Sequence, residues 1–344
     1  MRLYDGDAGA MGAWRDLDSV ERRLAPGSTL NGSGFQNGSA TRLQDGDVLF
    51  AGSAPFDFNW VASDMDGFTR QCLIFGATDR TFTRVADLPH PRGFQGSTLL
   101  AGGDVLLVGG VTTPDSPINP GEPNLRWVIT IADTVVRYDA AADRWRNRAS
   151  MAVGRYSPGI SVAGGGDVVV TGGLGEGNVP LASAERYDAV ADAWRTLPAM
   201  AHARAWHVQA TLPSGRVLVA GGIDESGNAV GDAEVYDPDL DSWQVVASLP
   251  LPAAMAASTP LRNGDVLVAG GFQEGFTKVA IPQVVAYRES EADWLSLPPL
   301  RTARFDHSAV QLDDGRVLVV AGFRHYTSAF NLASGAEITS VPLL

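Results

Sequence analysis

Arginine and histidine side chains recur at two fixed positions ahead of a repeated glycine, and these residue types are well suited to chemistry. The first position lies eleven residues before that glycine and the second lies eight residues before it. The arginines are Arg92, Arg155, Arg204 and Arg304, and the histidines are His207 and His307. Guanidinium groups form forked hydrogen bonds with carboxylates and phosphates, and imidazoles transfer protons near neutral pH. The pattern predicts an anion-binding pocket with a general acid or base.

Other side chains beside these positions extend the candidate site. Asp306, next to His307, and Tyr156, next to Arg155, add two titratable groups. Aromatic residues lie between the arginine and histidine positions and would wall a pocket for an apolar or cyclic ligand; they are Phe94, Tyr156, Trp206 and Phe305. The sequence therefore predicts four catalytic residues, His207, His307, Asp306 and Tyr156.

Each candidate also has a structural interpretation. The arginines would fasten a strand to a loop, the histidines would be inward-facing residues hydrogen-bonded to a neighbouring repeat, and the aromatic residues would pack one repeat on the next. Asp306 and His307 are neighbours in sequence, so on a strand they would point to opposite faces and would not cooperate. The sequence leaves both interpretations open.

A sequence unit that is repeated six times predicts the strands and turns that must position these residues. Each copy has a turn pair, a short apolar run and a small-residue doublet. The copies are 45–53, 102–110, 165–173, 214–222, 263–271 and 314–322. This pattern predicts a tight hairpin leading into a fully buried strand that ends in a glycine bulge. Repetition at intervals of about 50 residues indicates one supersecondary unit used many times.

An aromatic block follows the doublets and completes the unit. A tyrosine precedes a tryptophan by seven positions, as in Tyr187 and Trp194, which predicts two strands joined by a tight acidic turn. Tyr4 and Trp14 form an extra block at the N-terminus. Near the C-terminus Phe330 keeps the first aromatic position, and Glu337 stands where the tryptophan is expected. Each unit is therefore expected to hold four strands.

The paired glycines and the Tyr–Trp spacing resemble the kelch repeat over roughly residues 38–344. The resemblance implies an all-β fold, a kelch-type β-propeller of four-stranded blades similar to bacterial kelch and galactose-oxidase-like propellers. We expect a single domain over 1–344, with 1–37 as a ring-closing segment and six blades over 38–344. Seven blades, one of them partial, is the alternative. In such propellers the loops before the innermost strands and those after the doublets converge on one face, where ligand sites open.

The loops after the doublets differ in length, which would make that face asymmetric. Two long ones, 53–70 and 111–132, contain Trp60 and Arg126. The last loop contributes Arg324, His325 and Tyr326. Long loops of this kind tend to be functional. We therefore add these five residues to the predicted substrate-binding set.

Composition excludes several classes of function. A net charge of −13 disfavours a nucleic-acid partner, because phosphate neutralisation needs a basic surface. No apolar stretch is long enough to span a membrane, and the N-terminus lacks signal-peptide features, which predicts a cytoplasmic protein. Cys72 is the lone cysteine, so no intrachain disulfide forms. Five scattered histidines do not supply a zinc site, and copper, iron and calcium patterns are lacking, so we expect no metal and no cofactor.

Three classes of function fit these observations. The first is a metal-free enzyme, an isomerase, cyclase or lyase using acid–base chemistry on a polar or anionic small molecule in the axial pocket. The second is a protein-interaction propeller, the commonest use of the kelch family. The third is a propeller that binds a ligand without turnover. The sequence favours the first and does not name a substrate.

Overall fold

A computed structural model describes residues 2–5, 13–16, 37–53, 68–112, 130–273, 279–312, 314–325, 331–332 and 336–338. The chain divides into two compact units, Met1–Arg148 and Ala149–Leu344. In the described residues the larger sheets are five of four strands, together with a three-stranded sheet in the second unit. All are antiparallel, and each corresponds to one of the six copies in the sequence.

The first unit contains two of the four-stranded sheets. The first sheet consists of β3 Ser39–Arg42, β4 Val48–Ser53, β5 Thr69–Phe75 and β6 Phe82–Val85. The second consists of β8 Gly96–Leu99, β9 Val105–Val108, β12 Val135–Asp139 and β13 Arg144–Arg148. The smaller elements are the hairpin of β1 Arg2–Asp5 and β2 Ala13–Asp16, and a sheet of β7 Arg92–Gly93, β10 Val111–Thr112 and β11 Thr130–Ile131.

The second unit contains the other three four-stranded sheets. The first of these sheets consists of β14 Gly159–Val162, β15 Val168–Thr171, β16 Ala184–Asp188 and β17 Ala193–Thr196. The second consists of β18 Val208–Thr211, β19 Val217–Ala220, β20 Ala233–Asp237 and β21 Ser242–Val246. The third consists of β22 Ala257–Pro260, β23 Val266–Ala269, β24 Val284–Arg288 and β25 Asp293–Leu297. A 3₁₀ helix lies at Glu176–Asn178.

The last copy is shorter in the described residues. Its strands are β26 Ser308–Gln311, β27 Val317–Val320 and β30 Ala336–Ile338, with a hairpin of β28 Phe323–His325 and β29 Asn331–Leu332 between them. Glu337 pairs with Val319 on the second strand, the register that Glu185 has with Val170. Glu337 therefore belongs to the third strand, and our expectation that it takes the tryptophan position of the fourth strand is wrong. The distance from Phe330 was misleading because β29 lies between Phe330 and Glu337 in the chain.

The second strand of each sheet forms the core. All four residues of β9, β15, β19 and β23 are buried, as expected for valine-rich strands covered on both faces. Their side chains pack between neighbouring sheets; Leu218 and Val235, for example, share a cluster with Val266 and Val268. Burial of both faces explains why the apolar run is continuous rather than alternating.

The aromatic block fastens each outer hairpin to the preceding connection. Tyr187 pairs with Trp194 across β16 and β17, with ring centroids 4.9 Å apart. The Tyr187 hydroxyl donates to Asp192, whose carboxylate also accepts from the Ala149 amide, and the Trp194 Nε1–H donates to the Ala149 carbonyl. The predicted hairpin is thus present. Its seven-residue spacing places the two rings side by side and the aspartate in the turn.

Candidate functional site

The four repeated arginines are buried inside their own copies of the unit. Arg92, Arg155, Arg204 and Arg304 expose between 0 and 2% of their surface. In Arg204 one terminal nitrogen donates to the carbonyls of Gly221 and Asp232, both at 2.8 Å, and the other donates to Glu234 at 2.9 Å. Arg155 makes the equivalent bonds to Gly172, Ser183 and Glu185, as its repeat position predicts.

The carboxylate partner extends this arrangement to the connection ahead of the first strand. Glu234 is fully buried and accepts hydrogen bonds from the amides of Ala201 and His202. Burial lowers the pKa of Arg204, while Glu234 acts in the opposite direction. Each Arg–Glu pair therefore joins the connection, the second strand and the third strand. These bonds match the fastening interpretation, so we do not carry the arginines into the candidate site.

The glycine doublet is required by close contacts with the next copy and with the first connection of its own copy. The Gly173 amide donates to the Arg204 carbonyl at 2.9 Å, and a Cβ on Gly172 would lie 2.4 Å from that same oxygen. A Cβ on Gly173 would lie 2.7 Å from the Tyr156 carbonyl oxygen. The doublet thus lets two backbone segments meet where no side chain fits.

His207 packs against the doublet of the preceding copy and is held by a polar chain. Its Nε2 lies 2.9 Å from the Thr171 hydroxyl, and that hydroxyl donates to Gln209 Oε1 at 2.6 Å. The Gln209 amide nitrogen donates to the Val169 carbonyl, which fixes the orientation of the amide. Because the hydroxyl has a single hydrogen, Nε2 of His207 must carry the ring proton and donate it. Nδ1 is a buried acceptor without a hydrogen bond.

His307 occupies the same position in the last copy but has no equivalent polar chain. Both of its ring nitrogens are buried, and the Ala269 backbone is close enough to interact with the ring, although neither nitrogen forms a hydrogen bond of good geometry. Burial and the nearby Arg304 lower its pKa from 6.5 to about 4. Burial, with Arg204 and Arg155, lowers the pKa of His207 from 6.5 to about 3. Both imidazoles are therefore neutral at physiological pH.

We expect the two buried histidines to make the fold sensitive to acid. An unfolded chain takes up a proton near pH 6.5, whereas folded His307 does so only near pH 4. Stability is therefore complete above the unfolded value and falls as the pH drops between the two, by up to about 1.4 kcal/mol per pH unit for each group. His307→Gln should flatten this dependence, and glutamine already occupies the equivalent position at Gln95. Urea unfolding of both proteins across this range measures the difference.

His202→Gln is the control for that experiment, because 53% of the His202 side chain is exposed. Carboxylates titrate equally in all three proteins, so only the difference between their pH profiles matters. Parallel profiles for the wild type and His307→Gln would contradict the expectation.

The other proposed catalytic residues lie in different surroundings. Tyr156 is buried, and its hydroxyl donates to Asn178 at 2.7 Å. Burial raises its pKa to about 12, which removes it from proton transfer near neutral pH. Asp306 is exposed and lies just before β26, so it is not on a strand. Its backbone has a φ of 52°, which breaks the strand alternation that we expected at this place.

The aromatic residues form a ladder through the second unit. Trp206, Phe272, Phe305 and Phe323 are in contact in this order, with ring centroids 5.5 to 6.5 Å apart. Phe305 is 1% exposed and packs one copy on the next. Trp206 and, in the first unit, Phe94 are only partly buried, so these two present part of their rings at the surface.

The loop residues of the prediction are mostly outside the described part of the chain. Trp60, Arg126 and Tyr326 lie outside the described residues. Arg324 is exposed on β28. His325 ends the same strand.

The structure reveals a shared backbone conformation that the sequence did not predict, at a position that includes the nominated residues Phe94, Trp206 and Asp306. Nine residues before the hairpin glycine, every copy has a non-glycine residue in the left-handed region, with φ between 49° and 57°. These residues are Asn37, Phe94, Ser157, Trp206, Met255 and Asp306. These six side chains have no chemical property in common, so no sequence pattern marks the position. Phenylalanine, tryptophan and methionine are costly in this conformation.

Backbone hydrogen bonds link these residues from one copy to the next. The Met255 amide donates to the Trp206 carbonyl at 2.9 Å, and the Asp306 amide donates to the Met255 carbonyl at 2.9 Å. In the first unit the Phe94 amide donates to the Asn37 carbonyl at 2.7 Å. We name Trp206, Met255 and Asp306 the left-handed row. All three side chains are partly or fully exposed.

Neither a metal site nor a membrane span is found in the part of the chain that the structure describes. None of its His, Cys, Asp and Glu residues form a group of three or more that could hold a metal ion. No described helix is long and apolar enough to cross a membrane.

Antiparallel four-stranded sheets, four of which bury a second strand that ends in a glycine doublet, define a β-propeller of about six blades. Two segments, residues 161–201 and 209–250, match the family model for the Kelch motif. These segments are kelch motifs, and the fold class predicted from the sequence, a kelch-type β-propeller, is confirmed. Among curated proteins, no match to the chain was found.

Proposed function

We propose that this propeller is a binding module for a partner protein, and that the left-handed row forms the centre of its recognition surface. The observation that carries the proposal concerns the position nine residues before the hairpin glycine. All six copies have left-handed backbone there, but each copy has a different side chain. A left-handed non-glycine residue costs about 1–2 kcal/mol. Strain of this kind concentrates at functional sites, and here it presents a different side chain from each copy.

The polar residues nearby support binding more than turnover. Arg155 and Arg204 donate their terminal N–H groups to carbonyls and carboxylates of their own copies. His207 donates to Thr171 and is neutral at physiological pH. A general acid or base works best with a pKa near the operating pH. The row, in contrast, combines an indole, a thioether and a carboxylate, the apolar and polar mixture typical of interaction surfaces.

Replacing Trp206 with Asn should abolish capture of the partner. Asparagine tolerates left-handed backbone and already occupies the equivalent position at Asn37, so the fold should persist. The control is Leu240→Asn, because Leu240 is 74% exposed in the turn between β20 and β21, at the opposite end of the sheet. A stoichiometric partner recovered by immobilised wild type and Leu240→Asn, but lost with Trp206→Asn, is the expected result. A partner retained by Trp206→Asn would refute the proposal.

A second candidate is the metal-free enzyme predicted from the sequence. His307 favours it, because its ring nitrogens make no side-chain hydrogen bond like that of His207 and Asp306 is adjacent in sequence. A polar or anionic small molecule would then be isomerised, cyclised or cleaved at the same face. This reaction class, the small-molecule substrate and a cytoplasmic location stay predictions.

A further inference from the structure

We infer that the outermost strand of the second sheet, β13 Arg144–Arg148, binds an acidic segment of a partner protein as an additional strand, with carboxylates of the segment on Arg144 and Arg146. The inference concerns a different sheet from those of the left-handed row and does not depend on the proposed function. It follows from the composition of β13, from the weak pairing of two of its arginines and from an equivalent arginine in the following copy.

β13 is a basic edge strand in an acidic protein. Three of its five residues are arginines at alternate positions, so their side chains share one face of the sheet. Residues 135–148 contain four arginines and two aspartates, whereas the whole chain has a net charge of −13. The fourth strands of the other four-stranded sheets, β6, β17, β21 and β25, contain one arginine or none. No described strand pairs with the outer side of β13, which therefore offers alternate N–H and C=O groups to an added strand.

The ion pairs of the described residues neutralise Arg144 and Arg146 only weakly. Their side chains are 54% and 46% exposed, and both approach the same oxygen of Asp139, at 3.5 and 3.9 Å. These distances exceed the upper limit of about 3.2 Å for an N–H···O hydrogen bond. Asp139 is also used by its own turn, where it accepts a hydrogen bond from the Ala142 amide. One shared carboxylate therefore serves two exposed guanidinium groups.

The following copy shows which group completes such an arrangement. Arg146 lies opposite Arg137 in the register of β13 and β12, and Arg195 lies opposite Arg186 at the same repeat position. Like charges placed opposite each other reduce the stability of a sheet. Arg195 donates to both carboxylate oxygens of Asp241, whereas Arg146 has no comparable partner among the described residues. A carboxylate of the partner would take at Arg146 the place that Asp241 has at Arg195.

The spacing of the arginines defines the segment. Arg144 and Arg146 are two residues apart on one face, which separates them by about 7 Å along the strand. A segment paired with β13 has its own alternate side chains at the same interval. We therefore expect two acidic residues separated by one residue, flanked by β-branched residues that favour strands. Backbone hydrogen bonds provide affinity in this mode of recognition, and the side chains provide specificity.

Panning a phage-displayed library of random peptides on the purified full chain tests the inference. Enriched peptides should contain two acidic residues separated by one residue. The double variant Arg144→Gln with Arg146→Gln should weaken binding of synthetic copies by about tenfold. Glutamine already occupies the position of Arg146 in another copy, at Gln244. Arg195→Gln is the matched control and should leave affinity unchanged, because Arg195 already pairs with Asp241.

Peptides with methylated backbone nitrogens test the strand pairing. Of two versions methylated at alternate sets of nitrogens, only one should bind, because an added strand pairs through every second residue. Equal binding of both versions would overturn the inference. Enrichment of basic or uncharged peptides would also overturn it, as would acidic peptides whose affinity is unchanged by the double variant.

If no enriched peptide is lost with the double variant, the inference fails and the arginines of β13 only discourage association of sheet edges. Heparin binding that is lost with the double variant, without any such peptide, would assign these arginines to another kind of anion and would equally overturn it. None of these results bears on capture through Trp206, so Trp206→Asn tests the proposed function separately.

Discussion

Replacing Arg204 with Met is expected to lower the free energy of unfolding by about 3–5 kcal/mol. The guanidinium group and the Glu234 carboxylate are both fully buried. Without its partner the carboxylate keeps only the amides of Ala201 and His202, and the carbonyls of Gly221 and Asp232 lose their donor. The loss comes from an uncompensated buried charge rather than from the attraction itself. Urea unfolding, followed by tryptophan fluorescence, measures it.

Two variants control this experiment. Arg195→Met breaks an ion pair with Asp241 whose side chains are 51% and 38% exposed, and it should cost less than about 1 kcal/mol. The double variant Arg204→Met with Glu234→Leu removes both buried charges and should be more stable than Arg204→Met alone. If Arg204→Met unfolds at the same urea concentration as Arg195→Met, the fastening role is refuted.

Gly173→Ala, which adds a methyl group, is the second substitution with a large expected effect on stability. Gly173 has a φ of 86°, and a Cβ there would lie 2.7 Å from the Tyr156 carbonyl oxygen and 3.1 Å from backbone atoms of Pro158. Neither neighbour is a flexible side-chain end, so the two segments must separate. We expect Gly173→Ala to cost about 1–2 kcal/mol for the backbone conformation and a further 1–3 kcal/mol for the overlap.

Gly166 supplies a matched control in the same sheet. Its φ is 94°, and a Cβ there would meet nothing within 4 Å. Gly166→Ala should therefore show the conformational cost alone, and the difference between the two variants measures the contact with the neighbouring segment. Equal destabilisation of Gly166→Ala and Gly173→Ala in urea would contradict the close approach.

The candidate site could be predicted only in part. Matching the six copies on the hairpin glycine placed Arg155 and Arg204 at one repeat position, and the structure gives these two arginines equivalent hydrogen bonds. The matching could not tell whether Arg204 faces a ligand or Glu234, since Glu234 lies 30 residues away. Trp206 and Asp306 were predicted as site residues from their chemistry, but the left-handed backbone that they share with Met255 could not be predicted, because the three residues share no chemical property.

The sequence by itself determined the repeat, the four strands of the first five copies and the kelch-propeller class. These follow from local rules, since the valine-rich runs, turn glycines and Tyr–Trp spacing act within a single copy. Only the tertiary structure decided which polar groups are used internally and which side chains reach the surface. Both depend on contacts between copies, such as the Gly173 amide on the Arg204 carbonyl and the Met255 amide on the Trp206 carbonyl. The Met255 bond forms almost independently of residue type, so it leaves no pattern in the sequence, whereas the Gly173 contact is marked in the sequence only by the glycine that it requires.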